Sequence, residues 1–373
     1  MPLVDRLAAR IATEGSIGFD EFVGAALYDA EGGFYTSGSG AAGRRDGDFL
    51  TSPEVGPLFG AVVARALGEW WEVLGRPRPF AVIEAAAGRG ALAAAVAAAG
   101  PPWVEDLEWV LVERSPQLRA AQVELLDLGR PSGPFRQAAG LAGVAGALGR
   151  DTPLVGVVLA NELLDNLPVR LARRIGDRWI ELRVGLDGEG GFRFERARTP
   201  LEPASSARLD ALAPDAPDGA IVPLADAARR WVRSAHALLD RGRVAVVDYG
   251  ASTASLAVRP SGEWLRTYRS HDRAGDPLAD PGAKDITCEV PVDQLDDPGP
   301  PTEEAQADWL RRHGIEALVE EGRRVWSERA HIGDLAALRA RSRVREADAL
   351  LDPGGLGAFR VLTWTVGERP GTG

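Results

Sequence analysis

The feature that most constrains the fold of this chain is a short apolar strand that runs through a glycine-containing turn into a helix. Phe80 to Glu84 has the composition of a strand, Gly88 and Gly90 mark the turn, and Ala91 to Ala99 favours helix. Such strand–turn–helix units build parallel α/β sheets, in which ligands bind beyond the carboxyl ends of the strands. The turn is therefore the first candidate binding site.

The alternation of strands and helices continues along the chain. Leu107 to Glu113 and Leu154 to Ala160 predict two further strands, and Pro116 is suited to open a helix between them. After Pro168 the pattern changes to short antiparallel hairpins, and a strand from Val244 to Tyr249 then restores the earlier alternation. The predicted fold class is α/β, with a mostly parallel, doubly wound sheet interrupted by an inserted cap.

The same patterns predict how the chain is divided. Residues 1–56 are expected to form N-terminal helices and a glycine-rich lid loop, and residues 57–168 the first part of the core. Residues 169–222 are expected to form the inserted cap of hairpins and helices. Residues 223–373 complete the core and add further cap helices at about 303–346.

Composition narrows the classes of partner. The net charge is −11 and the isoelectric point is about 5.1, so the chain as a whole repels nucleic acid. No apolar run approaches the roughly 20 residues of a membrane span, and Met1 to Phe19 lacks the apolar stretch of a signal peptide. These observations predict a soluble, cytoplasmic protein with no nucleic-acid or membrane partner, and leave a homodimer open.

Metal and disulfide chemistry are not expected. Cys288 is the only cysteine, and the four histidines are scattered along the chain. A single thiol cannot form an internal disulfide, and the histidine spacing matches no metal-site pattern.

The turn after the first strand suits S-adenosylmethionine. Glu84 ends the strand where it can meet the ammonium of the methionine moiety, and Glu113 ends the next strand where a carboxylate can accept ribose hydroxyls. Gly88 to Ala93 also fits the dinucleotide pattern G-x-G-x-x-A, but a pyrophosphate would be repelled by Glu84. Two alternatives stay open: an NAD site, and a turn used only for packing.

A second cluster of polar residues follows the strand that ends at Ala160. Asn161, Glu162 and Asp165 are expected at the carboxyl edge of the sheet, beside the glycine turn. Paired carboxylates suit a guanidinium, which is always charged and binds in a bidentate manner. The alternative is a helix start, with Asn161 as its cap and the two acids in its first turn.

A third cluster ends the glycine-rich loop. Asp48 and Ser52 are expected to contact the cofactor as part of a lid, although Ser52-Pro53 also fits a simple helix start.

Taken together, these segments resemble the MidA-like methyltransferases, a family that includes a mitochondrial assembly factor of respiratory complex I that methylates arginine. The matching stretches run in family order along nearly the whole chain: Phe19–Tyr35 (FDEFVGAALYDAEGGFY), Gly47–Glu54 (GDFLTSPE), Glu84–Gly90, Ala160–Pro168 (ANELLDNLP), Val247–Gly250 (VDYG), Leu265–His271 with Asp285–Thr287, and Gln306–Ile315.

The resemblance implies a Rossmann-like class I methyltransferase core, S-adenosylmethionine as cofactor and a protein arginine as acceptor. It supports four cofactor residues (Glu84, Gly88, Gly90 and Glu113) and three acceptor-side residues (Asn161, Glu162 and Asp165). Within enzymes the alternative is a small-molecule N- or O-methyltransferase. Outside enzymes it is an assembly factor that keeps the fold with weak turnover.

The chain departs from the family pattern at two places. The family has Gly-Pro where this chain has Ala86-Ala87, and it has a histidine where this chain has Glu289. A methyl group at residue 86 would crowd the cofactor if the turn requires a positive φ there. Ala86 is therefore counted among the residues expected to line the cofactor.

Overall fold

The computed structural model of the protein describes residues 1–36, 51–128, 133–269 and 272–367. These residues form two compact units, each assembled from separate stretches of the chain. Of the described residues, the first unit contains 1–36, 164–232, 249–269 and 272–300, and the second contains 51–128, 133–163, 233–248 and 301–367. The chain therefore passes between the units several times. The domain boundaries predicted from the sequence stay predictions.

The α-helices among the described residues are α1 Leu3–Glu14, α2 Phe19–Tyr28, α3 Ser52–Val55, α4 Pro57–Val73, α5 Ala91–Ala98, α6 Pro116–Leu126, α7 Val144–Leu148, α8 Pro203–Leu212, α9 Asp226–Ala237, α10 Thr253–Ala257, α11 Ser261–Trp264, α12 Gln306–Arg312, α13 Ile315–Arg329 and α14 Leu335–Leu351. Short 3-10 turns lie at Val104–Asp106, Leu141–Gly143, Leu164–Asn166, Val292–Gln294 and Leu356–Ala358.

The strands are β1 Ile17–Gly18, β2 Phe80–Ala85, β3 Leu107–Val112, β4 Phe135–Ala138, β5 Leu154–Asn161, β6 Arg170–Ile175, β7 Arg178–Leu186, β8 Phe192–Arg196, β9 Ile221–Leu224, β10 Leu239–Asp248, β11 Gly250–Ala251, β12 Leu265–Arg269, β13 Asp272–Arg273, β14 Asp285–Cys288, β15 Val290–Pro291, β16 Thr302–Ala305 and β17 Arg360–Val366.

The second unit is built on a seven-stranded sheet in the order β4-β3-β2-β5-β10-β17-β16. The first five strands are mutually parallel, and β17 pairs antiparallel with both β10 and β16. All six residues of β2 are buried, as expected for a central strand covered on both faces. The prediction of an α/β fold with a mostly parallel, doubly wound sheet is confirmed.

The first unit contains the antiparallel elements. Its largest sheet has the order β1-β7-β6-β9, and β8 also pairs with β7. The hairpins predicted after Pro168 are confirmed as β6, β7 and β8, and the predicted N-terminal helices are α1 and α2. Phe19 and Phe22 of α2 are fully buried in the apolar core of this unit.

One element differs from the sequence pattern. Residues 302–305 form the edge strand β16, where the pattern predicted the beginning of a helix. The segment Thr302-Glu-Glu-Ala is short and polar, which is common in edge strands because charges there discourage unwanted strand pairing. The helices that follow, α12 to α14, belong to the same unit as the large sheet.

Candidate functional site

The glycine turn lies at the topological switch point of the seven-stranded sheet. The chain starts at the central strand β2, moves outward through β3 to β4, and then returns to β5 on the other side of β2. Ala85, the last residue of β2, pairs with Ala160 near the end of β5. The turn after β2 and the polar segment after β5 therefore emerge side by side, where open α/β sheets bind ligands.

Three residues of the turn have a left-handed backbone. The φ angles are +54° at Ala86, +54° at Gly88 and +86° at Gly90. At Gly90 a Cβ would also lie 3.0 Å from Leu126 Cδ1 and 3.2 Å from Leu111 Cδ2. Glycine at residue 90 is thus required by both its backbone and its surroundings.

The N–H groups of the turn are largely used inside the protein. Ala87 N–H donates to Val112 O at 3.2 Å, and Gly90 N–H donates to Ala87 O at 2.8 Å. Gly88 N–H donates to the Glu113 carboxylate, Oε2, at 3.0 Å. A dinucleotide turn instead directs its free N–H groups at a pyrophosphate. This turn is not built as an anion cradle, which counts against the NAD alternative.

Glu84 is a buried acid at the end of β2. Its side chain is 5% exposed, and its Oε2 accepts a hydrogen bond of 2.9 Å from Trp109 Nε1. Burial raises the pKa of Glu84 from its usual 4.5 to about 8; the hydrogen bond from Trp109 opposes this shift and the charge of Glu113 adds to it. A buried carboxyl that is neutral without a ligand can ionise when a ligand cation binds beside it. Glu84 is therefore well suited to pair with such a cation.

Glu113 follows β3 and is half-buried. Its Oε2 accepts from Gly88 N–H, and its Oε1 accepts from Ser115 N–H at 2.8 Å. A carboxylate has roughly four lone-pair directions, so it can accept several hydrogen bonds at once. The structure gives Glu113 a further role that the sequence did not indicate, because it also fixes the glycine turn.

Gln122 is a turn-contacting residue that sequence reasoning missed. It is fully buried on α6, and its Nε2 donates to Gly88 O at 2.8 Å. Gln122 belongs to no recognisable sequence motif, and a single glutamine in a predicted helix does not indicate a function. The only available sign was a polar residue on the face of α6 that packs inward.

Ser52 lies at the first residue of α3, fully buried, and its Oγ donates to Gln306 Oε1 at 3.0 Å. The helix start that the sequence allowed is confirmed: Thr51 and Glu54 form a capping box. The assignment of Ser52 to the cofactor stays a prediction. Asp48, and most of the predicted lid loop, lie outside the described residues.

The polar segment after β5 does not begin an α-helix, so the alternative that Asn161 caps one is wrong. Asn161 is the last residue of β5, and only a short 3-10 turn at Leu164–Asn166 follows. Glu162 has a left-handed backbone, with φ of +51°, and its N–H donates to Val247 O at 2.8 Å. Asn161 Nδ2 donates to Glu162 Oε1 at 3.0 Å, and Asn161 Oδ1 is buried with no hydrogen-bond partner among the described residues.

Asp165 belongs to the other unit, whereas Asn161 and Glu162 belong to the unit with the seven-stranded sheet. The Asp165 side chain is 6% exposed, and its Oδ2 accepts from the Tyr249 hydroxyl at 2.9 Å. The next residue, Asn166, donates to Asp285 Oδ1 at 3.1 Å, and the Tyr35 hydroxyl lies 2.9 Å from Asp285 Oδ2. Four motifs that are far apart in the sequence thus meet in one network.

The second departure from the family pattern is accommodated by a charge pair. Glu289 accepts from Arg259 Nη1 at 3.1 Å and from Arg259 Nη2 at 2.9 Å. Arg266 lies 3.8 Å from the same carboxylate, and its guanidinium carbon is 5.7 Å from the centre of the Tyr249 ring. Glu289 therefore supports the arginine that stacks on Tyr249.

Comparison with known proteins assigns the family. A family described as "Putative S-adenosyl-L-methionine-dependent methyltransferase" matches residues 62–309, which include the sheet edge described above. The chain belongs to this family. It is an S-adenosylmethionine-dependent methyltransferase, as its motifs predicted, and the glycine turn and Glu84 fit that cofactor better than a dinucleotide.

Individual relatives agree with this assignment. A Burkholderia thailandensis protein solved with bound S-adenosyl-homocysteine is 29% identical, with a TM-score of 0.81, and the match covers 98% of this chain and 92% of that one. The Drosophila melanogaster protein arginine methyltransferase NDUFAF7 homolog is 28% identical over 77% of this chain and 68% of its own length. Human protein arginine methyltransferase NDUFAF7 is 24% identical over 79% and 68%.

The comparisons correct one expectation. The sequence predicted a cytoplasmic protein, but the curated relatives, including those from Drosophila melanogaster, Danio rerio and Homo sapiens, are mitochondrial. The prediction of a cytoplasmic location is contradicted by these relatives. Separately, none of the helices described by the structure has the length and apolar character needed to cross a bilayer.

The residues present fit the cofactor chemically. S-adenosylmethionine supplies a methyl group on a positively charged sulfonium, together with an ammonium and two ribose hydroxyls. Glu84 would hold the ammonium, Glu113 would accept from the hydroxyls, and Gly88 and Gly90 allow close approach of the backbone. The protein must mainly align the acceptor and hold charge, since the sulfonium is already a good leaving group.

The left-handed backbone at Ala86 leads to a stability prediction. Alanine at positive φ costs about 1–2 kcal/mol, and glycine avoids this cost while losing up to about 1 kcal/mol through the unfolded chain. Ala86→Gly is expected to raise the free energy of unfolding by about 0.5–1 kcal/mol, measured by urea denaturation. Ala87→Gly, where the backbone is not left-handed, serves as the control and is expected to destabilise. A destabilising Ala86→Gly would show that the turn does not strain this residue.

Proposed function

We propose that this protein transfers a methyl group from S-adenosylmethionine to a side-chain nitrogen of an arginine in a protein substrate. Two of its curated relatives, from Drosophila melanogaster and Homo sapiens, are protein arginine methyltransferases by name. The observation that carries the proposal is at the end of β5. There, Asn161 Oδ1 is a buried acceptor without a partner among the described residues, and it lies beside the carboxylate of Glu162.

An unpaired buried acceptor lowers stability by about 1–3 kcal/mol, and a hydrogen-bond donor on a bound substrate would remove this cost. A guanidinium offers five N–H donors and a permanent positive charge. Asn161 supplies a neutral acceptor and Glu162 supplies a negative charge at the edge beside the glycine turn. This pair matches a cationic N–H donor better than a neutral hydroxyl, which needs no compensating charge.

The backbone of Glu162 also favours a functional role. A non-glycine residue at positive φ costs roughly 1–2 kcal/mol and persists where the surrounding structure requires it, commonly at active sites. Here the hydrogen bond from Glu162 N–H to Val247 O holds the left-handed conformation. The strained backbone turns the Glu162 side chain to the Asn161 amide, so the two polar groups act as one unit.

Each residue is assigned a role toward the acceptor. Asn161 orients an N–H group, and Glu162 offsets the positive charge of the guanidinium. When the methyl group passes from the sulfonium sulfur to the arginine nitrogen, the S–C bond is exchanged for an N–C bond and one N–H proton must leave. Glu162 is the carboxylate assigned to accept that proton. The acceptor-side role of Asp165 stays the sequence prediction; within its own unit, Asp165 Oδ2 accepts from the Tyr249 hydroxyl.

A labelling experiment tests the acceptor class. Lysate from a strain lacking this protein is incubated with the purified protein and cofactor tritiated on its methyl group. We expect label in a discrete protein band that resists base, because N-methylarginine survives base whereas carboxyl methyl esters do not. A Gly90→Val variant serves as the inactive control, because a Cβ at residue 90 is incompatible with the conformation and surroundings of the turn.

The alternatives give different results in the same assay. Label only in small molecules would overturn the arginine proposal and favour a small-molecule methyltransferase. If calorimetry shows that the protein binds S-adenosyl-homocysteine while neither the protein fraction nor the small-molecule fraction is labelled above the Gly90→Val control, the assembly-factor alternative replaces the arginine proposal. Amino-acid analysis of the labelled band decides between arginine and other nitrogen acceptors.

A further inference from the structure

The backbone of Gly88 is held at both its N–H and its C=O by side chains that come from outside the turn. Its N–H donates to Glu113 Oε2 at 3.0 Å, and its C=O accepts from Gln122 Nε2 at 2.8 Å. Glu113 follows β3 and Gln122 lies on α6, the helix that comes next. Two consecutive elements of the chain therefore fix a single glycine of the cofactor turn.

Gln122 is itself oriented by a second glutamine. Gln137 of β4 donates from Nε2 to Gln122 Oε1 at 2.7 Å and to Arg119 O at 2.7 Å. Because the Gln122 oxygen is occupied as an acceptor, its NH₂ group must be the one that faces Gly88 O. The orientation of the amide is thus determined by the network, and Gln122 is fully buried within it.

We propose that Gln122, oriented by Gln137, is a positioning residue for S-adenosylmethionine: it holds the glycine turn in its left-handed, cofactor-accepting form. The physical reason is the conformation of the turn. Residues 86, 88 and 90 all have positive φ, and residue 86 is an alanine, which disfavours that conformation. A turn with a strained residue keeps its shape only when surrounding contacts over-determine it, and Gln122 supplies such a contact.

The chain offers a matched control in Gln294. This glutamine is also buried, at 1% exposure, and belongs to the other unit. Its Nε2 donates to Pro223 O at 2.9 Å and to Thr253 Oγ1 at 3.1 Å, and its Oε1 accepts from Ala225 N–H at 3.0 Å. Gln122→Leu and Gln294→Leu therefore remove the same side chain from comparably buried and hydrogen-bonded places.

The test is calorimetric titration of each full-length variant with S-adenosyl-homocysteine, alongside thermal melting without ligand. Both leucine variants are expected to lower the melting temperature. Only Gln122→Leu is expected to raise the Kd, by about 10-fold or more, since the part-buried carbonyl of Gly88 loses its donor. Gln294→Leu is expected to keep the Kd within about two-fold of the wild type.

Gln137→Leu separates positioning from contact and also covers the case that Gln122→Leu fails to fold. It leaves Gln122 in place but removes the group that orients its amide, so the Kd is expected to rise by about three- to ten-fold. In the Gln122→Leu background, Gln137→Leu is expected to raise the Kd little further, because Gln137 acts through Gln122. Unchanged Kd values in both single variants, or an equal rise in Gln294→Leu, would overturn the proposal.

Discussion

Replacing Asp165 with asparagine is expected to slow methyl transfer by about 10²- to 10⁴-fold while leaving the Kd for S-adenosyl-homocysteine within about two-fold of the wild type. Asparagine keeps the shape of the side chain and removes its charge. A guanidinium in a partly dry site needs compensating negative charge, and removing one member of a buried charge pair costs about 3–5 kcal/mol. The Asp165 side chain is 6% exposed, so solvent would compensate little.

The measurement combines initial rates on the labelled protein substrate with calorimetry and thermal melting of the same preparation. Asp293→Asn is the matched control, since Asp293 is a carboxylate of the same unit with a structural task, accepting from Thr253 N–H and Oγ1. We expect it to lower stability without lowering the rate per folded molecule. If Asp165→Asn behaves like this control, Asp165 is structural and a neutral acceptor becomes the better hypothesis.

Replacing Glu84 with glutamine is expected to weaken binding of S-adenosyl-homocysteine by about 100-fold near pH 8 and to abolish a proton release that accompanies binding. In the free protein burial raises the pKa of Glu84 to about 8, so at pH 6.5 the group is neutral. A ligand ammonium, which is positively charged at this pH, favours the ionised form and displaces that proton. Affinity should therefore rise from pH 6 to 8, and this rise should disappear in the variant.

Calorimetry in two buffers of different ionisation enthalpy counts the protons released. We expect close to one proton per ligand bound at pH 6.5 in the wild type and none attributable to residue 84 in Glu84→Gln. Equal proton release and equal affinity in the two proteins would remove Glu84 from the cofactor site.

Glu84 also predicts how the stability of the free protein depends on pH. Its folded pKa lies above its unfolded value near 4.5, so its contribution to stability is fully present below pH 4.5 and is lost as pH rises to about 8. The loss amounts to roughly 4–5 kcal/mol, the free-energy equivalent of that pKa difference. Glu84→Gln should thus be more stable relative to wild type at pH 8 than at pH 5, as urea denaturation at the two pH values would show.

The sequence by itself was sufficient for the local structure of the sheet and for the position of the glycine turn. The apolar residues of β2, β3 and β5 are covered on both faces, so they appear as continuous apolar runs that periodicity detects easily. The turn after β2 is recognisable in the sequence by its glycines, because few other residues tolerate positive φ. The cofactor class followed from the acids that flank that turn.

The polar segment after β5 shows what sequence reasoning left open. Helix capping and a catalytic loop use the same residue types, so Asn161 and Glu162 allowed both interpretations. The backbone conformation excludes the helix cap, and the left-handed φ of Glu162 depends on a hydrogen bond to Val247, some 85 residues away. β16 was mistaken for part of a helix for a related reason, since an edge strand of four residues is defined by its partner β17 rather than by its own pattern.

What only the tertiary structure decided is which polar side chains share a hydrogen-bond network. Gln122 meets Gly88 across 34 residues, and Tyr249 meets Asp165 across 84. Hydrogen bonds of this range leave no periodic trace in the sequence, because each partner occupies a position that many residues could fill. The pKa of Glu84 is decided in the same way: its value near 8 arises from burial in the central strand β2 and from the charge of Glu113, and the hydrogen bond from Trp109 opposes this rise. The sequence thus determined where the cofactor turn lies, while packing determined its charge state and the side chains that hold it in shape.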